Sequence, residues 1–193
     1  MNDSKNFRPI NNYEKDIIAN SLSQISLKFI TLLDKKLYNL YILLKSPIIK
    51  DVQLPIYLFK PKNKDLKQAI QLTSYIYSIG LYFGFIKKGF FFISLEGAEF
   101  LYRNKYILEK NQIIVNIQGE KSILYGNNIL KKMVSNFSME LKINDLLIVL
   151  NELKEIIAIG ITKVDGNDFY NLESDKLIAL NLIDKGYYLR KNQ

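Results

Sequence analysis

A strand that leads directly into a glycine-bearing helix is the feature of this sequence that most limits its fold. Residues 112–116 form an apolar stretch typical of a strand, and residues 119–132, which include Gly126, follow as the predicted helix. Further strands are predicted at residues 145–150, 156–162, 176–182 and 186–190. Five short strands around one helix are typical of a small β-barrel, because closure of the sheet leaves few exposed edges.

The first half of the chain predicts helices packed on a sheet. A helix is predicted to begin at Asn11 or Asn12, with Glu14 in its acidic first turn, because apolar residues recur three and four positions apart over residues 17–29. The sequence Lys-Lys-Gly at residues 87–89 lies between two aromatic runs and predicts a β-hairpin. Other predicted elements include strands at 27–33, 38–44 and 55–59, a helix through Ala69, Ile70 and Leu72, and a helix at 97–106. The first of these strands is left open, since its residues also suit a continued helix.

These elements together indicate an α+β protein with two domains. Residues 1–110 are predicted to form an N-terminal α/β domain with a mainly antiparallel sheet and flanking helices. Residues 111–193 are predicted to form a C-terminal β pseudo-barrel with one main helix. A chain of 193 residues is long enough to give each domain its own hydrophobic core.

The sequence contains neither cysteine nor histidine. The absence of cysteine excludes disulfides and thiolate nucleophiles, and the absence of histidine removes the commonest metal ligand and the usual proton carrier near neutral pH. Acidic residues such as Asp165 and Asp168 show no spacing that suggests a paired catalytic site. We therefore predict that the protein is not an enzyme and holds no metal and no cofactor.

The net charge of +8 is unevenly distributed along the chain. Residues 1–111 contain 17 Lys or Arg and 9 Asp or Glu, whereas residues 112–193 contain 10 of each kind. Any electrostatic attraction to phosphate is therefore expected mainly from the first half. The alternative, that the lysines only keep the protein soluble, stays open.

The apolar segments are too short for a membrane protein. No run reaches the roughly 18 residues that a membrane-spanning helix needs, and the first six residues are polar, unlike a signal peptide. We expect no membrane association and no export, and hence a cytoplasmic protein.

Short motifs in a characteristic order cover almost the whole chain. They are Arg8-Pro9, Ser78-Ile79-Gly80 with Phe83-Gly84, Phe90–Leu95 with Ala98–Leu101, Ser122–Asn127 with Ile129-Leu130-Lys131, and Asp184–Arg190. In these motifs the chain resembles the Nip-seven family of ribosome-biogenesis factors, two-domain proteins of archaea and eukaryotes. The resemblance implies that the C-terminal pseudo-barrel is a PUA domain, an RNA-binding module.

The resemblance also implies a function. Members of this family are non-catalytic RNA-binding adaptors in large-subunit pre-rRNA processing and assembly, and the resemblance implies the same role here. Some archaeal members are linked to restraint of the exosome. The implied partners are single-stranded or ribosomal precursor RNA and other assembly factors, such as an rRNA methyltransferase or the exosome, with the protein itself a monomer. The implied compartment is an archaeal cytoplasm, or the nucleolus in a eukaryote.

Two other functions stay open. One is an accessory RNA-binding subunit of an RNA-modifying enzyme. The other is a protein-interaction module that has lost RNA binding, which the zero net charge of residues 112–193 favours.

Gly126 is the predicted centre of the RNA site. Glycine has no Cβ and lets an RNA backbone approach closely, Asn127 offers a donor and an acceptor, and Tyr125 suits stacking on a base. Two alternatives stay open, namely that Gly126 serves helix–sheet packing and that Tyr125 belongs to the core. The other candidate residues are the cations Lys131, Lys132, Lys163, Lys176, Lys185, Arg190 and Lys191.

A second basic patch is predicted over residues 60–67. Its cations are Lys60, Lys62, Lys64 and Lys67. They are expected either to contact phosphates with little sequence preference or to form a solvated loop and helix start. Archaeal members of the family carry a basic row on the penultimate strand, where this chain has Lys176 but also Leu177, Leu180 and Ile183. The C-terminal domain alone is therefore expected to bind RNA weakly.

Aromatic residues are concentrated between residues 75 and 92. Most are expected in the core, but alternation along Phe90–Phe92 places at least one ring at the surface. Such a ring suits either a base or a protein partner.

Overall fold

The computed structural model describes residues 7–44, 53–59 and 80–190, the side chains of Tyr188 and Leu189 excepted. The chain folds into two compact units, Met1–Phe100 and Leu101–Gln193. The domain boundary predicted from the sequence, near Lys110, lies further along the chain than the division after Phe100, and it stays a prediction. The α+β fold class is confirmed by the order of helices and strands.

A five-stranded antiparallel sheet forms the centre of the first unit. Its strands lie in the order β1-β2-β3-β4-β5, so each strand pairs with its neighbour in sequence. They are β1 (Phe7–Pro9), β2 (Asn39–Leu43), β3 (Leu54–Phe59), β4 (Leu81–Lys87) and β5 (Phe90–Ile93). The predicted hairpin is confirmed, with β4 and β5 joined by Lys88 and Gly89.

Helices α1 (Asn12–Leu22), α2 (Leu27–Asp34) and α3 (Leu95–Arg103) complete the described part of this unit. Of the two alternatives left open for residues 27–33, the strand is wrong, because this segment is helical, and the helix is a separate one that begins at Leu27. Ile25, Phe29 and Leu33 are buried at intervals of four residues, whereas Leu27 is 59% exposed. That burial period is helical, so one face packs inward, and the Phe29 ring lies 5.2 Å from the ring of Phe83 on β4.

Arg8 and Glu14 connect β1 to the start of α1. Asn11 caps the helix by accepting a hydrogen bond from the main-chain N–H of Glu14, and the Glu14 carboxylate accepts one from the N–H of Asn11, both at 2.8 Å. This is a capping box. The Arg8 guanidinium donates two further hydrogen bonds to the Glu14 carboxylate, at 2.7 and 2.8 Å. The predicted N-cap is therefore confirmed at Asn11, and Arg8 stabilises it from the strand.

The Arg8–Glu14 pair is expected to make the free energy of unfolding depend on pH. The hydrogen bonds from Arg8 hold the pKa of Glu14 below its ordinary value of 4.5, burial acts in the opposite direction, and the N–H of Asn11 lowers the pKa further. Because the carboxyl has its lower pKa in the folded state, the stabilisation is complete above pH 4.5 and is lost as the pH falls through the folded pKa.

Urea unfolding followed by circular dichroism between neutral pH and pH 3 tests this dependence. Glu14→Gln is expected to lower the free energy of unfolding at neutral pH by about 1 to 2 kcal/mol. The difference between the two proteins should then shrink below pH 4.5. A difference that stays constant down to pH 3 would contradict the assignment.

The second unit is built on a six-stranded sheet that curls into a nearly closed pseudo-barrel. Its strand order is β7-β11-β10-β9-β6-β8, with β6 and β9 parallel and the other pairs antiparallel. The strands are β6 (Gln112–Val115), β7 (Ile129–Leu130), β8 (Val134–Asn136), β9 (Leu146–Leu150), β10 (Ile156–Thr162) and β11 (Leu177–Asp184). Helix α4 (Ile117–Leu124) packs on the sheet and places Ile123 in the core.

Two predictions for this unit are wrong. The helix predicted over 119–132 ends at Leu124, and the residues after it form a turn, β7 and a 3-10 helix at Lys131–Met133. The last segment is the short helix α5 (Tyr187–Arg190) instead of a strand. Within the described ranges, no helix combines the length and the apolar character needed to cross a lipid bilayer.

Candidate functional site

The end of α4 is closed by a turn that requires glycine. The N–H of Gly126 donates to the Ile123 carbonyl at 2.8 Å, and the N–H of Asn127 donates to the Ser122 carbonyl at 3.2 Å. This pair of hydrogen bonds is a Schellman motif, in which the residue after the C-cap adopts a left-handed conformation. Gly126 has a φ of 90°. Its first role is therefore to end the helix, a role that the sequence-based alternatives did not include.

A polar network fixes this turn to β11 and α5. The Asp184 carboxylate is buried and accepts two hydrogen bonds from the Arg190 guanidinium, at 2.8 and 3.0 Å. Arg190 also donates to the Leu124 carbonyl. The side-chain amide of Asn181 donates to the carbonyls of Ile123 and Asn127 and to Asp184, at 3.1 to 3.3 Å.

The network has an electrostatic consequence for the end of α4. Carbonyl groups at a helix C-terminus lack partners within the helix and carry partial negative charge, so a guanidinium stabilises them there. The hydrogen bonds to Asp184 raise the pKa of Arg190 above its ordinary value, and Arg190 therefore stays charged.

Tyr125 stands at this rigid turn with its side chain 77% exposed. The alternative that Tyr125 belongs to the core is therefore wrong. Asn127 and Asn128 beside it are also exposed, and the Asn127 amide donates to the Ser122 hydroxyl at 3.2 Å. A Cβ on residue 126 would lie 3.1 Å from Nη2 of Arg190, so the bare glycine leaves the guanidinium approachable. We name Tyr125, Gly126 and Asn127, with Asn181, Asp184 and Arg190 behind them, the Tyr125 corner.

Three of the predicted lysines, Lys131, Lys163 and Lys176, lie near the start of β11, whereas the Tyr125 corner lies near its end. The main-chain N–H of Lys131 donates to the Lys176 carbonyl at 2.9 Å, and that of Lys163 donates to the Ile178 carbonyl at 2.7 Å. Lys176 and Asn181 are five residues apart along an extended chain, which is about 16 Å. Lys185, in the turn after β11, is the predicted lysine on the side of the Tyr125 corner.

Several of these cations already have partners within the protein. Nζ of Lys131 donates to the carbonyls of Tyr170 and Leu172 and lies 5.8 Å from the centre of the Phe169 ring. Nζ of Lys132 pairs with Asp175 at 2.5 Å. Lys163 donates to the Asn144 side chain at 3.1 Å. Lys131 therefore anchors a loop, and the idea that Lys131 and Lys132 extend a helix beyond Gly126 is wrong.

The remaining sequence-based candidates lie outside the described residues. They are Lys191 and the second basic patch, Lys60, Lys62, Lys64 and Lys67. Among the residues described, no group of three or more acidic side chains is placed to hold a metal ion.

Sequence reasoning named Arg190 but missed Asn181 and Asp184 as residues of the site. Asn181 interrupts an otherwise apolar strand, and Asp184 precedes Arg190 by six residues across Gly186. A polar residue within an apolar strand is a signal that its side chain has a structural partner, because a buried polar group without a hydrogen bond is costly.

Comparisons with known proteins agree with this fold. Residues 111–193 match the UPF0113 PUA domain family. A UPF0113 protein of Archaeoglobus fulgidus is 36% identical over 100 residues, which are 52% of this chain and 55% of that protein. The match thus spans about half the length of this curated relative.

Two solved structures are similar over nearly the whole chain. A hypothetical protein of Pyrococcus horikoshii has a TM-score of 0.62 at 15% identity, with 95% of this chain and 98% of that chain covered. A conserved PUA domain protein of Thermoplasma acidophilum has a TM-score of 0.62 at 14% identity, with 96% and 98% covered. At these identities the likeness concerns the fold. Residues 111–193 thus match the UPF0113 PUA domain family, and the chain shares its fold with these two archaeal proteins.

Proposed function

We propose that this protein binds single-stranded RNA through its PUA domain and acts as a non-catalytic adaptor in ribosome assembly, as the resemblance to the Nip-seven family implies. In this proposal the RNA is large-subunit ribosomal precursor RNA, and the partners are other assembly factors. The match to the UPF0113 PUA domain family supports the RNA-binding part. The motifs spread along the chain support the finer assignment.

The observation that carries the proposal is the exposed ring of Tyr125 on a turn that is fixed on both sides. The Schellman motif fixes the turn to α4, and Asn181 and Arg190 fix α4 to β11 and α5. Because the main chain of the turn is already held in place, a base that stacks on Tyr125 orders only the side chain, and the loss of conformational entropy is small. Tyr125 is therefore suited to stacking without further ordering of the main chain.

The same geometry indicates how such binding divides between stacking and charge. Lys131, Lys132 and Lys163 have partners within the protein, and residues 112–193 carry no net charge. Arg190 is the cation closest to Gly126 in the described network. Stacking on Tyr125, with hydrogen bonds from Asn127, then supplies most of the affinity at this corner, and phosphate contacts there are few.

Replacement of Tyr125 by alanine is expected to weaken binding of a short oligouridine RNA about tenfold, because one base loses its stacking partner. Fluorescence anisotropy with the full-length protein, at two salt concentrations, measures this change. Because stacking is not screened, the ratio of the two affinities should be nearly the same at both salt concentrations.

Tyr13→Ala is the matched control, since Tyr13 is 72% exposed on α1 and its removal should leave affinity unchanged. Circular dichroism should show both variants folded. Equal affinity of wild type and Tyr125→Ala would remove the Tyr125 corner from the RNA site. Absence of binding by the wild type at low salt would overturn the RNA-binding proposal itself.

A second candidate function is a protein-interaction module. The observation in its favour is that Lys131, Lys132 and Lys163 are engaged within the protein, which weakens their attraction for phosphate. This candidate predicts that the folded wild type does not bind RNA at low salt.

A further inference from the structure

The outer face of the β4–β5 hairpin presents aromatic rings that the fold does not bury. Phe85 lies directly opposite Phe92, and Lys87 lies directly opposite Phe90. Residues opposite one another in an antiparallel pair share a face, so these four side chains lie on one surface. Phe90 is 67% exposed and Phe92 is 43% exposed. We name Phe85, Lys87, Phe90 and Phe92 the hairpin face.

The hairpin has a different set of side chains for its core. Phe91 and Ile93 alternate with the exposed rings and are buried on the other face, where Phe91 stacks on Phe83 at 5.7 Å. Burial of Phe90 and Phe92 is therefore not what holds β5 in the sheet. Exposed large aromatic residues are unfavourable in water, so their presence on a short edge strand points to a ligand.

Two of the three rings of the hairpin face already stack on each other. The rings of Phe85 and Phe92 lie 5.1 Å apart and are inclined by 16°, so they form a stack in which Phe92 is 43% exposed. Phe90 lies two residues away on the same strand, about 7 Å along it. That separation is compatible with two successive bases of a splayed single strand, each stacking on its own ring.

The charge beside the rings favours a polyanion. Lys87 lies across from Phe90, and Lys88 is exposed in the turn with a φ of 49°. The first 111 residues also carry the whole excess of positive charge in the sequence. A surface that combines aromatic rings with neighbouring cations is the arrangement that binds single-stranded nucleic acid without reading its sequence.

We propose that the hairpin face is a second single-stranded RNA site, on which bases stack on Phe90 and Phe92 while Lys88 contacts phosphate. The choice of RNA as the ligand rests on the function proposed above. The evidence for a stacking surface on the hairpin is independent of the Tyr125 corner. Because every base offers an aromatic plane, the site is expected to accept any sequence and to reject duplexes, whose bases are already stacked.

The test combines a double substitution with crosslinking on the full-length protein. Phe90→Leu with Phe92→Leu keeps apolar bulk at both positions but removes the aromatic planes. This variant is expected to bind oligouridine about tenfold more weakly than wild type. Tyr13→Leu, the same change at an exposed aromatic residue on α1, is the control and should leave affinity unchanged. Thiouridine-labelled RNA, crosslinked and mapped by mass spectrometry, should label both the hairpin and Tyr125.

The outcomes separate the two proposals. Crosslinks to the hairpin that persist in Tyr125→Ala and disappear in the double variant would support the hairpin face. Crosslinks at Tyr125 alone, with unchanged affinity of the double variant, would overturn the hairpin face and leave the Tyr125 corner standing. Crosslinks at the hairpin alone would support the hairpin face and overturn the Tyr125 corner. Absence of RNA binding at low salt would overturn both proposals and leave the hairpin as a surface for a protein partner.

Discussion

Substitution of Gly186 by alanine is expected to lower the free energy of unfolding of the second unit by about 3 kcal/mol. A Cβ at this position would overlap the carbonyl oxygen of Leu124 and would lie 2.9 Å from its carbonyl carbon and 2.7 Å from Nη1 of Arg190. The first two atoms belong to the main chain of α4, so relief requires α5 to move away from α4. Equilibrium urea unfolding followed by circular dichroism measures the loss.

The effect should extend to the Tyr125 corner. Movement of α5 separates Arg190 from the Leu124 carbonyl, and the turn that carries Tyr125 loses one of its two anchors. RNA binding is therefore expected to weaken together with stability. Lys185→Ala is the control for stability, because it lies one residue earlier in the same turn and keeps the main-chain hydrogen bond to the Ile157 carbonyl at 2.9 Å. A Gly186→Ala protein as stable as Lys185→Ala would show that α4 and α5 do not pack as closely as described.

Gly84→Ala is expected to destabilise the first unit by about 3 to 5 kcal/mol, because two costs add at this position. Gly84 has a φ of 152°, a conformation that residues with a Cβ rarely adopt. The added Cβ would also overlap the carbonyl oxygen of Phe92 on β5 and lie 2.8 Å from Cζ of Phe91. Thermal and urea unfolding of the full-length variant would report the loss.

Gly89→Ala provides a matched control in the same hairpin. Gly89 has a φ of 79°, but nothing lies within 4 Å of a Cβ built on it. Its substitution therefore carries the backbone cost alone, about 1 to 2 kcal/mol. If the two variants lost the same stability, close packing of β4 on β5 at Gly84 would not be the cause.

Local signals in the sequence were sufficient for much of the first unit. The order Asn11 to Glu14 predicted a cap, and the structure has a capping box there. The Lys-Lys-Gly turn between aromatic runs predicted the β4–β5 hairpin, and alternation along Phe90–Phe92 predicted its two faces. In each case the interactions that determine the local structure join residues only a few positions apart, so a short stretch of sequence is enough to predict it.

The segment 27–34 shows why composition by itself was insufficient. Leu, Ile and Phe are found in helices and in strands, and the choice depends on which positions are buried. Burial at Ile25, Phe29 and Leu33 follows from packing against the sheet, with Phe29 against Phe83. That contact joins residues more than fifty positions apart and is not visible in a short window.

The Tyr125 corner was predicted in part. Tyr125, Gly126, Asn127 and Arg190 were named, and the structure brings them together through Asn181 and Asp184. The end of α4 was predicted too late, although a glycine just after a helix is a common stop signal. The partners of Lys131 and Lys132 were not predicted, because their acceptors lie some forty residues later in sequence.

Synthesis from the amino terminus completes the two sheets at different times. Each strand of the five-stranded sheet pairs with the strand before it, so the first unit can gain its pairings as the chain emerges. In the second unit β7 has no sheet partner until β11 is made, and β6 lacks its parallel partner until β9 is made. The β7–β11 pair joins Ile129 to Ala179, and a pairing so distant in sequence forms slowly and leaves apolar strands exposed meanwhile. Of the two described sheets, that of the pseudo-barrel is therefore expected to complete its strand pairing last during synthesis.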